Sequence, residues 1–261
     1  MITESSWFIR PKSNTHARLR LFCFPYAGGS ASIFHTWANA LPKDVEVCPV
    51  QLPGRANRLK EAPYDRIEPL IETLVQALQP ELDLPCVLFG HSLGALISFE
   101  LGRALSAIGC APLHLFVSAR HAPHLPDPIP SIHDFPEEAF IDGIKHFNGT
   151  PGEILRHQEL LELFLPMLRA DFSINGTYRY SAGPLLTCPI TAFGGLQDAI
   201  IDRSLIEPWR EQTSAAFTLR MFPGDHFFLH SCRPVLLQAI SWDLNKALRQ
   251  IRGGTIGDPV A

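Results

Sequence analysis

The stretch "VLFGHSLGALISFE", Val87 to Glu100, most limits what this chain can fold into. An apolar run ends at Phe89, the motif Gly90-His91-Ser92-Leu93-Gly94 follows at once, and Ala95–Leu105 then carries an amphipathic helical pattern. A serine between two glycines at such a junction reads as a sharp strand-to-helix turn. The glycines leave room where side chains would collide, and the hydroxyl is lifted above the sheet. The first turn of the helix also offers free N–H groups to negative charge developing beside the serine. The bland alternative is a glycine-flanked turn with an inert serine.

The same alternation extends along the chain. Short apolar runs predict strands at Leu19–Phe24, Val45–Gln51, Cys86–Phe89, Leu113–Ser118, Ile190–Phe193 and Phe217–Phe222, and Ile67–Leu78 has the spacing of an amphipathic helix. Continuously apolar strands separated by helices indicate a parallel sheet covered on both faces. One interval breaks the rhythm. From His121 to Ser181 a Pro-rich lead gives way to helical patterns, which "GEILRHQELLELFLPMLRADF" carries as helices punctuated by Pro166. That length is excessive for an ordinary connection and reads as an inserted lid or binding element. The expected organisation is a first core segment (1–120), a helical lid (121–182), a second core segment (183–250) and a disordered tail (251–261).

Composition narrows the function. With a formal net charge of −4 and no Lys/Arg block, the chain is not expected to bind nucleic acid. No apolar run reaches the roughly 18 residues of a membrane span, and the N-terminus does not read as a signal peptide. Six cysteines are spread without a CxxC pair, which argues against a disulfide framework or a zinc site and places the chain in the cytoplasm.

A serine hydroxyl is a weak nucleophile until a base takes its proton and a carboxylate orients that base. Downstream of Ser92, "ITAFGGLQDAIID" offers Asp198 in a loop after one strand, and "LRMFPGDHFFLH" offers His226 after the next. Both then sit at the C-terminal edge of the sheet beside Ser92. Asp202 is the rival acid, expected inside the following helix. Asp225 is expected to shape its turn, His230 to pack or face solvent, and His91 to point away from the reacting centre or line the pocket. His121, His124, His133, His146 and His157 lack metal-ligand spacing and read as surface or pocket-lining residues.

The glycine loop in "RLFCFPYAGGSASIFHTW" invites a phosphate reading, but it lacks the Lys-Ser/Thr of a P-loop and does not fit G-x-G-x-x-G. A hydrolase built on Ser92 needs a second oxyanion donor from the loop after an early strand. The backbone amides of Ala27 and Leu93 are the candidates, against the alternative of a glycine turn needed only for packing.

Taken in order, "FPYAGGSAS", "LPGR", "GHSLGA", "SARHAPHLP", "FLPMLRADF" and "GDHFFL" resemble the type II thioesterases of polyketide and nonribosomal peptide synthesis, from about Trp7 to Leu248. The resemblance implies an α/β-hydrolase fold with a helical lid. It implies hydrolysis of acyl thioesters on phosphopantetheinyl carrier proteins, clearing stalled or incorrect acyl groups. Ser92, Asp198 and His226 fall on the family's triad, and the Ala27 and Leu93 amides on its oxyanion hole. No metal or organic cofactor is implied, the partners are acyl or peptidyl carrier proteins, and the chain is expected to act as a monomer. Ala56-Asn57 and "GGLQD" depart from the commoner family forms. Arg55 and Arg58 read either as contacts to the pantetheine phosphate or an acidic carrier, or as surface arginines paired with Glu61 or Asp65. The stripe Phe140, Ile144, Phe147, Leu160, Leu161, Phe164, Leu165 and Leu168 is expected to pack the lid, with part of it lining an acyl channel. A general carboxylesterase or lipase, an acyltransferase or cyclase, and a non-catalytic carrier-binding protein are the competing functions.

Overall fold

Six apolar runs become six strands: β1 Leu19–Phe24, β2 Val45–Pro49, β3 Cys86–His91, β4 Leu115–Ser118, β5 Ile190–Gly195 and β6 Phe217–Phe222. All neighbours pair in parallel, in the order β2-β1-β3-β4-β5-β6. The computed structural model describes residues 7–10, 13–146 and 157–253. The longer helices are α1 Ile67–Leu78, α2 Leu93–Ala107, α3 Glu137–His146, α4 Gln158–Thr177 and α5 Arg233–Gly253. This is the α/β-hydrolase arrangement that the motif order implies.

The strands are predominantly apolar because both faces of the sheet are covered, and the charged Arg20 of β1 and Glu46 of β2 pair with each other at 2.9 Å. Along β1, Phe22 and Phe24 point into one core with Leu74 of α1 and Phe99 of α2. Leu19, Leu21 and Cys23 point into the other, with Leu236, Ile240 and Leu244 of α5. The spacing of Ile67, Leu70, Ile71, Leu74 and Leu78, all buried, gives α1 one apolar stripe. Edge strand β6 is only partly buried, and its Arg220 is tied to α5, donating to the Ala239 carbonyl at 3.0 Å and pairing with the buried Asp243 at 3.1 Å.

The described residues between β4 and β5 form no strand and contain α3 and α4. Here one expectation is corrected. Pro166 does not punctuate α4, which continues through it from Gln158 to Thr177. An interior proline normally costs a helix about 3 kcal/mol. Pro166 faces solvent, where the unpaired carbonyl one turn earlier can be hydrated, while Leu165, Met167 and Leu168 beside it are buried and hold the helix down. The apolar stripe is also revised. Phe140, Ile144, Leu161, Leu165 and Leu168 form a small core with Ile132 and Met167, and Phe164 packs against it. Leu160 is exposed, and Phe147 lies outside the described residues. Helix α5 runs to Gly253, so the predicted tail overlaps its last turn, and its remainder lies outside the described residues. No helix among the described residues is long and apolar enough to cross a membrane.

From β1 the chain goes outward to β2, then crosses back over β1 to β3 and continues in the opposite direction. The carboxyl ends of β1 and β3 therefore flank a switch point, the place where open parallel sheets leave a crevice. The glycine loop follows one of these strands and Ser92 follows the other.

Candidate active site

Ser92 lies between β3 and α2 with φ 54° and ψ −113°, in the left-handed half of backbone space that a non-glycine residue enters at a cost of about 1–3 kcal/mol. Its N–H is tied to the Ser118 carbonyl at 2.7 Å, at the end of β4. Although Ser92 occupies the N-cap position of α2, its hydroxyl makes no capping hydrogen bond. Both flanking glycines are required by close backbone approach. A Cβ on Gly90 would stand 1.9 Å from the Gly94 carbonyl oxygen, and one on Gly94 would stand 2.2 Å from that of Phe24. The second approach seats the first turn of α2 against Phe24-Pro25, the segment that leads into Ala27.

Asp198 follows β5, and its Oδ1 accepts the N–H groups of Ile200 and Ile201 at 2.9 and 3.1 Å. Its Oδ2 accepts a hydrogen bond from His226 Nδ1 at 2.7 Å. Burial pushes this carboxyl toward the neutral form, but the His226 hydrogen bond and charge, with the two amides, outweigh it and hold its pKa below the usual value. Gly195 permits the approach, because a Cβ there would lie 2.4 Å from the carbonyl oxygen of Asp225, next to His226.

The rival residues are occupied elsewhere. Asp202 caps the short helix Arg203–Ile206, accepting from the Ser204 and Leu205 amides at 2.7 and 3.1 Å. Asp225 accepts from Phe227 N–H at 2.9 Å and shapes its turn, and His230 Nε2 contacts the Tyr26 hydroxyl at 3.1 Å. His91 is fully buried, with Nδ1 2.9 Å from Ser118 Oγ and its ring edge-on to His226 at 5.5 Å. Burial, reinforced by the neighbouring His226, drives its pKa well below the ordinary value, so it packs in neutral form.

A cavity of about 640 Å³ opens over these loops. Tyr26, Ala27, Ser92 and His226 line it together with Arg120, His121, Phe172 and Asn175. The sequence candidates are thus brought to one place: Ser92, Ala27 and His226 on the cavity surface, Asp198 behind His226, and Leu93 opening α2.

A thioesterase-domain family profile matches residues 19–243. The chain is a member of the thioesterase family. It is 46% identical to a protein named linear gramicidin dehydrogenase LgrE from Brevibacillus parabrevis, over 97% of each chain. It is 44% identical to the gramicidin S biosynthesis protein GrsT from Aneurinibacillus migulanus, covering 94% of this chain and 96% of that one. Among solved structures, the type II thioesterase BorB from the borrelidin biosynthetic cluster superposes with a TM-score of 0.83 at 35% identity, covering 92% of this chain and 98% of its own. The name of the first relative denotes a redox enzyme. In the present thioesterase the glycine loop does not have the dinucleotide spacing. Its Gly28 amide is also taken by the Asp171 carboxylate at 2.7 Å, where a pyrophosphate reader would leave it open.

That carboxylate was not legible in the sequence as a site residue, and it corrects the reading of Arg55. Arg55 is neither a surface arginine nor a partner of Glu61 or Asp65. It is buried, and its Nη1 and Nη2 donate to Asp171 Oδ2 and Oδ1 at 2.8 and 2.7 Å. The partner is 116 residues away in the chain, beyond the reach of any local pairing argument. Arg58 does pair with Glu61, at 2.8 and 2.6 Å, but it is buried as well, with its guanidinium 4.0 Å above the Trp7 ring. His121 and His124 line the cavity, while His157 is exposed. Arg120, which sequence reasoning left without a role, reaches Asn175 Oδ1 at 3.0 Å within the cavity lining.

Proposed function

We propose that this thioesterase hydrolyses acyl thioesters borne on the phosphopantetheine arm of carrier proteins, clearing acyl groups that have stalled or been wrongly loaded. The observation that carries the mechanism is Ser92 in its strained turn, opening onto the same cavity as a histidine whose Nδ1 is 2.7 Å from a buried carboxylate. Ser92 Oγ attacks the thioester carbonyl while His226 Nε2 accepts its proton. Asp198, held ionised by its donors, fixes the tautomer and stabilises the imidazolium. The N–H groups of Ala27 and Leu93 bind the tetrahedral oxyanion. Collapse expels the pantetheine thiol, and water, activated by the same histidine, then frees the acid and restores Ser92.

The test compares one acyl group presented on a carrier protein, on coenzyme A and as a simple ester. A strong preference for the carrier is expected; equal turnover of the simple ester would make this a general esterase. Ser92→Ala is expected to remain folded and to lose on the order of 10⁵–10⁶ in kcat. Near-normal turnover by that variant sinks the mechanism.

A further inference from the structure

The Asp171 carboxylate lies where three parts of the chain meet. It belongs to α4, it is almost completely buried, and three donors converge on its two oxygens. Arg55 supplies two of them, and the third is the Gly28 amide at 2.7 Å. Arg55 Nη1 also reaches the Gly29 carbonyl at 3.1 Å, so the guanidinium touches the glycine loop as well as α4.

The glycine loop itself is a four-residue turn, closed by Gly29 N–H donating to the Tyr26 carbonyl at 2.8 Å. Ala27 and Gly28 are its central residues, and the φ of +78° at Gly28 gives the turn type II character. Type I and type II turns differ by a flip of the central peptide, here the one joining Ala27 to Gly28. An acceptor placed on the Gly28 N–H selects one of the two orientations. By pinning that peptide it also holds the adjoining Tyr26–Ala27 peptide, which carries the Ala27 N–H and is not itself flipped. Helix α4 also rests directly on this loop, since a Cβ on Gly28 would lie 2.7 Å from Leu168 Cδ2.

We propose that Asp171, itself held by Arg55, is a positioning residue that sets the turn carrying the Ala27 amide. This rests on the oxyanion role given to that amide above. A buried ion pair is commonly replaceable by apolar side chains of similar volume without loss of stability. An apolar pair here could fill the space but offers the Gly28 N–H nothing. Asp171 therefore does something for the loop that packing alone does not.

The experiment separates stability from rate, using an acetyl-loaded carrier protein as substrate. Arg55→Met/Asp171→Leu removes both charges together. It is expected to keep its Tm near the wild-type value and its KM within about threefold, while kcat falls about 10- to 100-fold, as for an amide misplaced by about 1 Å. The pH midpoint of kcat/KM should not move, because the Asp198–His226 pair is untouched. Wild-type kcat in this folded double variant overturns the proposal. Should it not fold, Asp171→Asn and Asp171→Ala decide the matter. Both break the ion pair, but only asparagine retains an acceptor for Gly28 N–H, so it should keep at least about tenfold more kcat; equal rates overturn the proposal. Ser92→Ala assayed in parallel distinguishes the two levels. Turnover surviving there refutes the mechanism itself, whereas turnover lost there but retained in the apolar pair refutes only the role of Asp171.

Discussion

Gly94→Ala tests whether the junction of α2 and β1 builds the oxyanion site. The added Cβ would lie 2.2 Å from the Phe24 oxygen, 2.6 Å from the Phe24 carbonyl carbon and 2.7 Å from the Pro25 oxygen. All three are backbone atoms, so no side chain can swing aside. Phe24 is fixed by its ladder to Gly90, and the movement must fall on the first turn of α2. That turn has to retreat by about 1 Å to reach ordinary contact, taking the Leu93 amide away from Ala27. Overpacking of this kind costs about 1–3 kcal/mol of stability. Losing one oxyanion donor adds about 2.7–4 kcal/mol to the barrier, a 10²- to 10³-fold loss in kcat. Deacylation is best followed by the mass of the carrier protein, because Cys110 and Cys232 are partly exposed free thiols that would consume a thiol reagent. Gly102→Ala is the control within the same helix, since its Cβ meets nothing closer than 3.7 Å. It should leave kcat unchanged and stabilise α2 by up to about 1 kcal/mol. A Gly94→Ala enzyme with kcat within threefold of wild type, or a Gly102→Ala enzyme equally impaired, would refute the reasoning.

Asp198→Asn should reduce kcat by several orders of magnitude while Asp202→Asn leaves it near wild type and only weakens a helix cap; the reverse ranking in steady-state rates would move the acid to Asp202. Three buried histidines make stability depend on pH. Burial lowers His91 well below its ordinary pKa, His114 to about 4 and His121 to about 3, the last also beside the Arg120 and His124 charges. The unfolded chain then binds protons that the folded one refuses, so stability is full above about pH 6.5 and falls as pH drops toward 4. Each group contributes about 1 kcal/mol per pH unit in that window. Urea midpoints measured from pH 7 to pH 5 should fall, and His114→Gln should flatten the slope; a midpoint constant over that range excludes this account.

Strand positions were readable because a strand covered on both faces must be largely apolar, as Leu21–Phe24 of β1 and Val87–Phe89 of β3 are. The motif around Ser92 located the strand-to-helix junction because its glycines answer to backbone approaches that no other residue can satisfy. Asp198 and His226 were recognisable as loop residues after successive strands, and the fold carries those loops to one edge of the sheet. What the sequence concealed is long-range pairing. Arg55 and Asp171 look like two ordinary surface charges until the fold buries them together, and local spacing pointed Arg55 toward Glu61 instead. The continuity of α4 through Pro166 was hidden for a related reason. Propensity speaks for a break, and only the burial of Leu165, Met167 and Leu168 overrules it.

The bond between Arg55 and Asp171 also sets a rule for recombination. The segment between β4 and β5 supplies part of the cavity wall, while Ser92, Asp198 and His226 stand on loops outside it. Exchanging that segment for a relative's is thus a direct route to altered acyl selectivity with the proposed triad left in place. The graft has one hidden seam, because Asp171 travels with the insert while Arg55 and Gly28 stay behind. A donor segment without a carboxylate at this position would strand a buried guanidinium beneath the loop, so chimaeras should be chosen by that match before any property of the cavity is considered.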